Sequence, residues 1–182
     1  MKNTTSITVL LVMLLGGCTS QFTRMDADAQ TCEKALSIGR LDVAEEMCQR
    51  ALEGGDKDIL TPAVRSQRLF NLARIKRQRG KYLEAGELLG ESLATEETLS
   101  GADSPGVTRR LMEMSLVLAG QGQWQQGAQV LERALPLAHQ LTDDERASLS
   151  NIIRRYTVRL KKNGQAAQAM RLEAADVQLN AD

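Results

Sequence analysis

A glycine recurs along the chain at spacings of 41, 42 and 42 residues, and the residues that follow each copy share one pattern. Five positions after each glycine the residue is Ala or Gly, and eight positions after it the residue is Met, Leu or Val. A period of this length predicts a stack of similar units that share one continuous core. The four segments read GRLDVA from Gly39, GKYLEA from Gly80, GQWQQG from Gly122 and GQAAQA from Gly164.

The spacing inside each segment predicts a helix after the glycine. Apolar and small residues at offsets 5, 8, 9, 12 and 13 fall on one face of an α-helix. The glycine can end the preceding helix, because a positive φ costs it little. The bulky residue at offset 2 is expected to fill the turn, and the small residue at offset 5 to let two helices approach closely. Each unit is therefore a predicted helix–turn–helix hairpin.

Local signals for helix ends agree with this division. Thr61-Pro62 and Ser104-Pro105 each offer an N-cap followed by proline in the first turn. The segment 142–145 has the residues of a capping box. The predicted ends of second helices are marked by Gly54-Gly55, Gly101 and Pro136.

The pattern resembles the tetratricopeptide repeat, whose second half reads Gly-x-Tyr-x-x-Ala with Ala-Leu later. The resemblance covers about residues 27–179, and its period is similar to the longer kinesin-light-chain type rather than the standard repeat of about 34 residues. It implies an all-α, right-handed α-solenoid of about four hairpins. HEAT-type repeats of similar length are the alternative, although they lack this turn. The best-matching residues are Leu72-Ala73, Gly80, Tyr82, Ala85 and Ser92-Leu93, then Leu118, Gly122, Trp124, Ala134 and Leu135.

The first residues predict an export signal. The apolar run in residues 7–15 is too short to span a bilayer as a helix. The ending, Leu15-Gly16-Gly17-Cys18, resembles the lipobox of bacterial lipoproteins; an ordinary signal with a chance cysteine is the alternative. The resemblance implies cleavage before Cys18 and a covalent lipid on Cys18, with no other cofactor. We therefore divide the chain into a removed signal (1–17), a lipidated cysteine with a short linker (18–25) and a repeat domain (26–182).

The expected location is the cell envelope. In lipoproteins an Asp after the lipidated cysteine commonly causes inner-membrane retention, and this chain has Thr19 instead. The resemblance therefore implies a lipid anchor in the outer membrane, facing the periplasm. The 23 basic and 23 acidic residues give no net charge, which argues against a nucleic-acid partner.

The sequence shows no cluster of catalytic or metal-binding residues. His139 is the single histidine, and no Cys-x-x-Cys, paired-His or phosphate-loop pattern occurs. We therefore expect no enzymatic activity and no metal. Cys32 and Cys48 lie symmetrically about Arg40, inside the first predicted turn, so they should meet across the hairpin. A disulfide is the favoured interpretation in an oxidising compartment, and two buried thiols are the alternative.

Charge separates by helix in the second repeat. Residues 62–79 contain six basic residues and no acid, whereas residues 83–99 contain five acidic residues and no base. In the family the first helices line the concave groove, so basic and apolar side chains there would suit an acidic, amphipathic segment of a partner. Two solvated faces of opposite charge are the alternative. The family register maps the groove to Gln67, Phe70, Arg74, Arg77 and Gln78, to Arg109, Met112 and Leu116, and to Asn151, Arg154, Val158 and Lys161.

The resemblance implies an adaptor or assembly factor for an envelope complex such as a pilus, a secretion system or a polysaccharide export system. This is a fold-level analogy. A self-associating structural lipoprotein is the alternative, since Val177 and Leu179 could leave an unfilled apolar end. A cell-wall-acting enzyme would need clustered titratable residues, which the sequence does not offer.

Overall fold

The computed structural model describes residues 23–54 and 60–180, and the regular elements in these ranges are helices. Consecutive helices pair as α1/α2, α3/α4, α5/α6 and α7/α8, which gives the four predicted hairpins. A 3₁₀ segment, Leu135–Gln140, follows α6. The helices are α1 (23–37), α2 (Leu41–Glu53), α3 (Pro62–Gln78), α4 (Tyr82–Ser100), α5 (Pro105–Gly120), α6 (Trp124–Ala134), α7 (Asp143–Lys162) and α8 (Ala166–Leu179).

The predicted helix ends are confirmed. The four turn glycines have φ between 74° and 77°. This conformation is unfavourable for residues that carry a Cβ atom. Thr61 and Ser104 accept hydrogen bonds from the backbone of α3 and α5, and proline starts both helices. Thr142 and Glu145 form the capping box of α7. Pro136 lies in the 3₁₀ segment, so the α-helix before it ends at Ala134.

Glycines on one hairpin leave space for aromatic side chains of the neighbouring hairpin. A Cβ at Gly127 would lie 2.7 Å from Cζ of Tyr156, which belongs to α7 of the next hairpin. A Cβ at Gly120 on α5 would lie 2.5 Å from Cζ of Tyr82 on α4. Both close approaches lie between successive repeats. For Gly127, the small residue at offset 5, the sequence led us to expect the close approach between the two helices of one hairpin.

The core runs along the stack without a break between repeats. Its largest cluster joins α5 through α8 and includes the fully buried Leu131, Leu149 and Leu160. Two arginines at equivalent register are also buried. Arg68 donates to the Ala51 carbonyl, and Arg110 donates to the Ser92 and Ser66 hydroxyls, so each links its helix to the preceding repeat.

The folded domain starts before the predicted boundary. Residues 23–25 are already helical and Met25 is 1% exposed, so the end of the predicted linker belongs to α1. The predicted signal and Cys18 lie outside the described residues. Within the described ranges, no helix combines the length and apolar character that crossing a bilayer requires.

Candidate protein-binding groove

The first helices of the hairpins present one row of solvent-facing positions, at offsets −13, −9, −6 and −2 from each turn glycine. We call this row the groove face. Most of its side chains are exposed or half-buried, whereas most of the positions between them on α3 and α5 are buried. The groove face comprises Asp26, Gln30, Glu33 and Ser37 on α1, Gln67, Asn71, Arg74 and Gln78 on α3, Arg109, Glu113, Leu116 and Gly120 on α5, and Asn151, Arg155, Val158 and Lys162 on α7.

Two of the predicted groove cations pair with acids of the next first helix. Arg77 on α3 donates to Glu113 on α5, and Arg109 on α5 donates to Glu145 on α7 at 2.5 Å. The Arg109 hydrogen bond, together with the Thr142 backbone, lowers the pKa of Glu145 to about 2. These pairs join successive repeats, so their positive charge is largely compensated.

Arg74 keeps its charge available. Its guanidinium lies 5.8 Å from the centre of the Phe70 ring, and the buried Arg110 guanidinium lies 5.1 Å from the same centre. Among the described residues no carboxylate lies within ion-pair distance of Arg74. Phe70 and Arg74 are both half-buried, so the ring and the unpaired guanidinium can both be reached from the groove face.

The cations of α7 that were predicted to lie in the groove bind acids of α8. Arg154 donates to Asp176 at 3.1 Å, and Lys161 donates to Glu173 at 2.5 Å. In the earlier repeats the position of Glu173 holds the buried Cys48, Leu89 or Leu131. The fourth hairpin therefore replaces an apolar position with an acid, Glu173, that pairs with Lys161.

The remaining predicted residues divide between surface and core. Gln67 is exposed and donates to Asn71 at 3.1 Å. Met112 is only 8% exposed, inside the core between α5 and α7, and Leu116 packs against the same cluster. Asn151 and Gln78 are exposed, and Val158 is 70% exposed.

The sequence marks the first helix of the fourth repeat as basic, but the family register did not assign its unpaired cations to the groove. Arg155, Arg159 and Lys162 have no carboxylate within ion-pair distance in the described chain. The Arg159 guanidinium lies 5.5 Å from the centre of the Trp124 ring. The sequence does contain a signal for Arg159. This arginine occupies the repeat position at which repeats 2 and 3 have the buried Ile75 and Val117, so a cation there is unexpected for a core position.

A small cavity of about 170 Å³ opens between α1 and α3. Cys32 and Cys48 lie at its lining, with their Cα atoms 5.1 Å apart and a disulfide between their sulfur atoms. Both residues are buried. The disulfide links α1 to α2 beneath the α1 part of the groove face.

His139 lies on the exposed 3₁₀ segment, where its Nδ1 is 3.0 Å from the Pro136 carbonyl oxygen. In the described ranges, no group of three or more His, Cys, Asp or Glu side chains is arranged to hold a metal ion.

Residues 65–140 match the family model described as a tetratricopeptide repeat. Similar solved structures include BtubC (BKLC) from P. vanneervenii, at 22% identity and a TM-score of 0.68 over 86% of this chain. A putative kinesin light chain with TPR-like repeats from Podosopora anserina gives 19% identity and a TM-score of 0.66, over 87% of this chain and 75% of that one. This chain spans 63% of BtubC. No curated protein sequence matches it.

Tetratricopeptide repeats generally mediate protein–protein interaction and are generally non-enzymatic scaffolds. The glycine-anchored period, the hairpins it produces and these matches together show an α-solenoid of tetratricopeptide-like hairpins, in which residues 65–140 match the tetratricopeptide-repeat family.

Proposed function

We propose that this protein is a lipid-anchored adaptor that binds another protein in the bacterial cell envelope. The observation that carries the proposal is the groove face, which extends over all four hairpins and holds exposed, unpaired cations beside apolar side chains. Such a surface suits an acidic, amphipathic segment, because cations positioned beside apolar contacts can bind carboxylates and an apolar stripe together. Its unpaired cations among the described residues are the half-buried Arg74 on α3 and the exposed Arg155 and Lys162 on α7.

The anchor is proposed from the sequence alone. Cys18 ends a lipobox-like segment, and only four residues separate it from the described helix that starts at residue 23. Two or more acyl chains on such a cysteine would hold the protein stably at a bilayer. Thr19 supports the outer membrane, with the repeats facing the periplasm. The partner would belong to an assembly such as a pilus, a secretion system or a polysaccharide exporter.

Growing the producing cells with an alkyne-bearing palmitate tests the anchor. The native chain should become labelled and sediment with outer-membrane vesicles, while Cys18→Ala should carry no label. A labelled Cys18→Ala protein, or an unlabelled native one, would remove the lipid from the proposal. Adaptor activity is tested separately, by crosslinking and capture of the bound envelope assembly.

A further inference from the structure

The outer side of the stack carries a cleft that the groove does not use. It has a volume of about 320 Å³ and lies between α2 and α4, the second helices of the first two hairpins. Leu52, Leu72 and Leu88 form an apolar lining, and the buried Lys76 adjoins it. Four acids complete the lining, namely Glu53, Glu84, Glu87 and Glu91.

Two of these acids have no cation beside them. Glu84 pairs with Lys76 at 2.5 Å, and Glu91 pairs with Arg65 at 2.8 Å. No lysine or arginine of the described ranges lies within ion-pair distance of Glu53 or Glu87. The cleft therefore combines apolar surface with uncompensated negative charge, and it fits an aliphatic side chain flanked by basic ones.

The fold itself does not require unpaired acids at this place. The corresponding cavity between α6 and α8 is lined by glutamines and by Glu132, which pairs with Arg171 at 3.0 Å. The position of Glu87 is Gln129 in the third repeat and Arg171 in the fourth. The unpaired acids of the α2–α4 cleft are thus not repeated in the α6–α8 cavity.

A surface of complementary chemistry lies at the other end of the same chain. Arg155, Val158, Arg159 and Lys162 have the spacing i, i+3, i+4 and i+7, which places them on one face of α7. We call this face the α7 stripe. Val158, at its middle, is 70% exposed. The three cations have no carboxylate partner in the described chain, although Arg159 stacks on Trp124.

We propose that a second copy of this chain seats its α7 stripe in the α2–α4 cleft. Val158 and the aliphatic stems of the cations cover the leucine lining, since long basic side chains bury their stems while the charge stays at the rim. Arg155 and Lys162 are about 10 Å apart along the helix axis, one on each side of Val158, and they pair with Glu53 and Glu87.

The contact uses two different surfaces, so it is heterologous and joins copies head to tail. Copies held in one membrane would form rows, which brings several groove faces together for one partner. This self-association goes beyond the adaptor role. The contact covers Arg155, Val158 and Lys162, the α7 part of the groove face, and leaves the groove face of α3 and α5 open to an envelope partner.

Zero-length crosslinking tests the contact directly. Equal amounts of ¹⁴N- and ¹⁵N-labelled full chain are reconstituted together in phosphatidylcholine vesicles and treated with a carbodiimide, which joins a lysine amine to a touching carboxylate. We expect crosslinked peptides that join Lys162 of one isotope to Glu53 or Glu87 of the other. Absence of these mixed-isotope peptides, with crosslinks elsewhere in the chain, overturns the proposal.

Charge reversal gives the second test, read by energy transfer between labelled copies in the same vesicles. Glu53→Lys with Glu87→Lys, and Arg155→Glu with Lys162→Glu, should each lower association on the order of tenfold. Mixing these two variants should restore pairing, because each keeps the surface that the other has lost. Failure of the mixture to recover, while both variants keep the native circular dichroism, overturns the proposal.

Matched controls reverse equal charge away from both surfaces. Asp103→Lys with Asp144→Lys, and Lys34→Glu with Arg40→Glu, change exposed residues that have no ion pair in the described chain. They should associate as the native protein does, and an equal loss in the controls overturns the proposal. Envelope-partner capture by the cleft variants is scored separately, so the adaptor role can fail or hold independently.

Discussion

The ring of Tyr156 on α7 occupies the space that a side chain at Gly127 on α6 would need. A Cβ built at Gly127 lies 2.7 Å from Cζ of Tyr156, and the tyrosine is 1% exposed. The tyrosine hydroxyl donates to the Ser115 carbonyl of α5, and its ring meets Trp124 edge-on at 5.2 Å. One aromatic side chain therefore fixes the third hairpin to the fourth.

Replacing Gly127 by alanine should destabilise the protein by about 1–3 kcal/mol, because the added methyl group overpacks this contact. Gly90→Ala is the matched control, since a Cβ at Gly90 on α4 meets nothing within 4 Å. Alanine has the higher helix propensity, so the control should be neutral or up to about 1 kcal/mol more stable. Urea unfolding measures both, and an equal response of the two variants would contradict the packing account.

Glu45 should make stability fall in acid. Burial raises its pKa, but hydrogen bonds from Lys76 and Lys81 outweigh burial and lower the pKa from 4.5 to about 2. The stabilisation is thus present above pH 4.5 and is lost as the pH falls toward 2. Glu45→Gln should lower the melting temperature at pH 7 and flatten its decline between pH 4.5 and 2. Glu46→Gln, at an exposed neighbour, should retain the native pH profile.

Reduction should weaken the first hairpin. A bridge between Cys32 and Cys48 closes a segment of 16 residues, and loops of this length are stabilised by about 3 kcal/mol. Free-thiol titration in denaturant, before and after reduction, establishes whether the bond forms in the purified protein. The oxidised protein should melt at a higher temperature, and equal melting temperatures would count against the staple.

Charge reversal should distinguish the roles of Arg74 and Arg77, two arginines of α3, in partner binding and in stability. Arg74→Glu removes a free cation and should reduce partner capture with little change in melting temperature. Arg77→Glu instead places an acid opposite Glu113, so it should lower the melting temperature as well. Full capture by a folded Arg74→Glu protein would argue that the partner does not use this part of the groove.

The repeat period and the helix ends could be predicted from the sequence because they depend on local chemistry. Gly80 needs a positive φ, and Ser104-Pro105 carries its own cap, so each signal lies within a few residues of its effect. The stack of hairpins follows from repeating those signals.

The direction of the groove side chains could not be predicted in the same way. Arg154 and Lys161 fit the family register, but both form ion pairs with acids of the next helix, Arg154 with Asp176 and Lys161 with Glu173. Arg77 and Arg109 likewise pair across repeats, a contact of 36 residues' separation that no local pattern reveals. Arg155 was missed because its importance depends on which other cations remain unpaired.

The adaptor account is tested most directly by crosslinking in intact cells, followed by capture of the native protein and of Cys18→Ala in parallel. The account predicts that the native protein recovers one defined envelope assembly, that Cys18→Ala loses it, and that Arg74→Glu recovers less of it. Equal recovery by the native and Cys18→Ala proteins would contradict an adaptor that acts from the membrane, and recovery of only the protein itself would contradict the adaptor role.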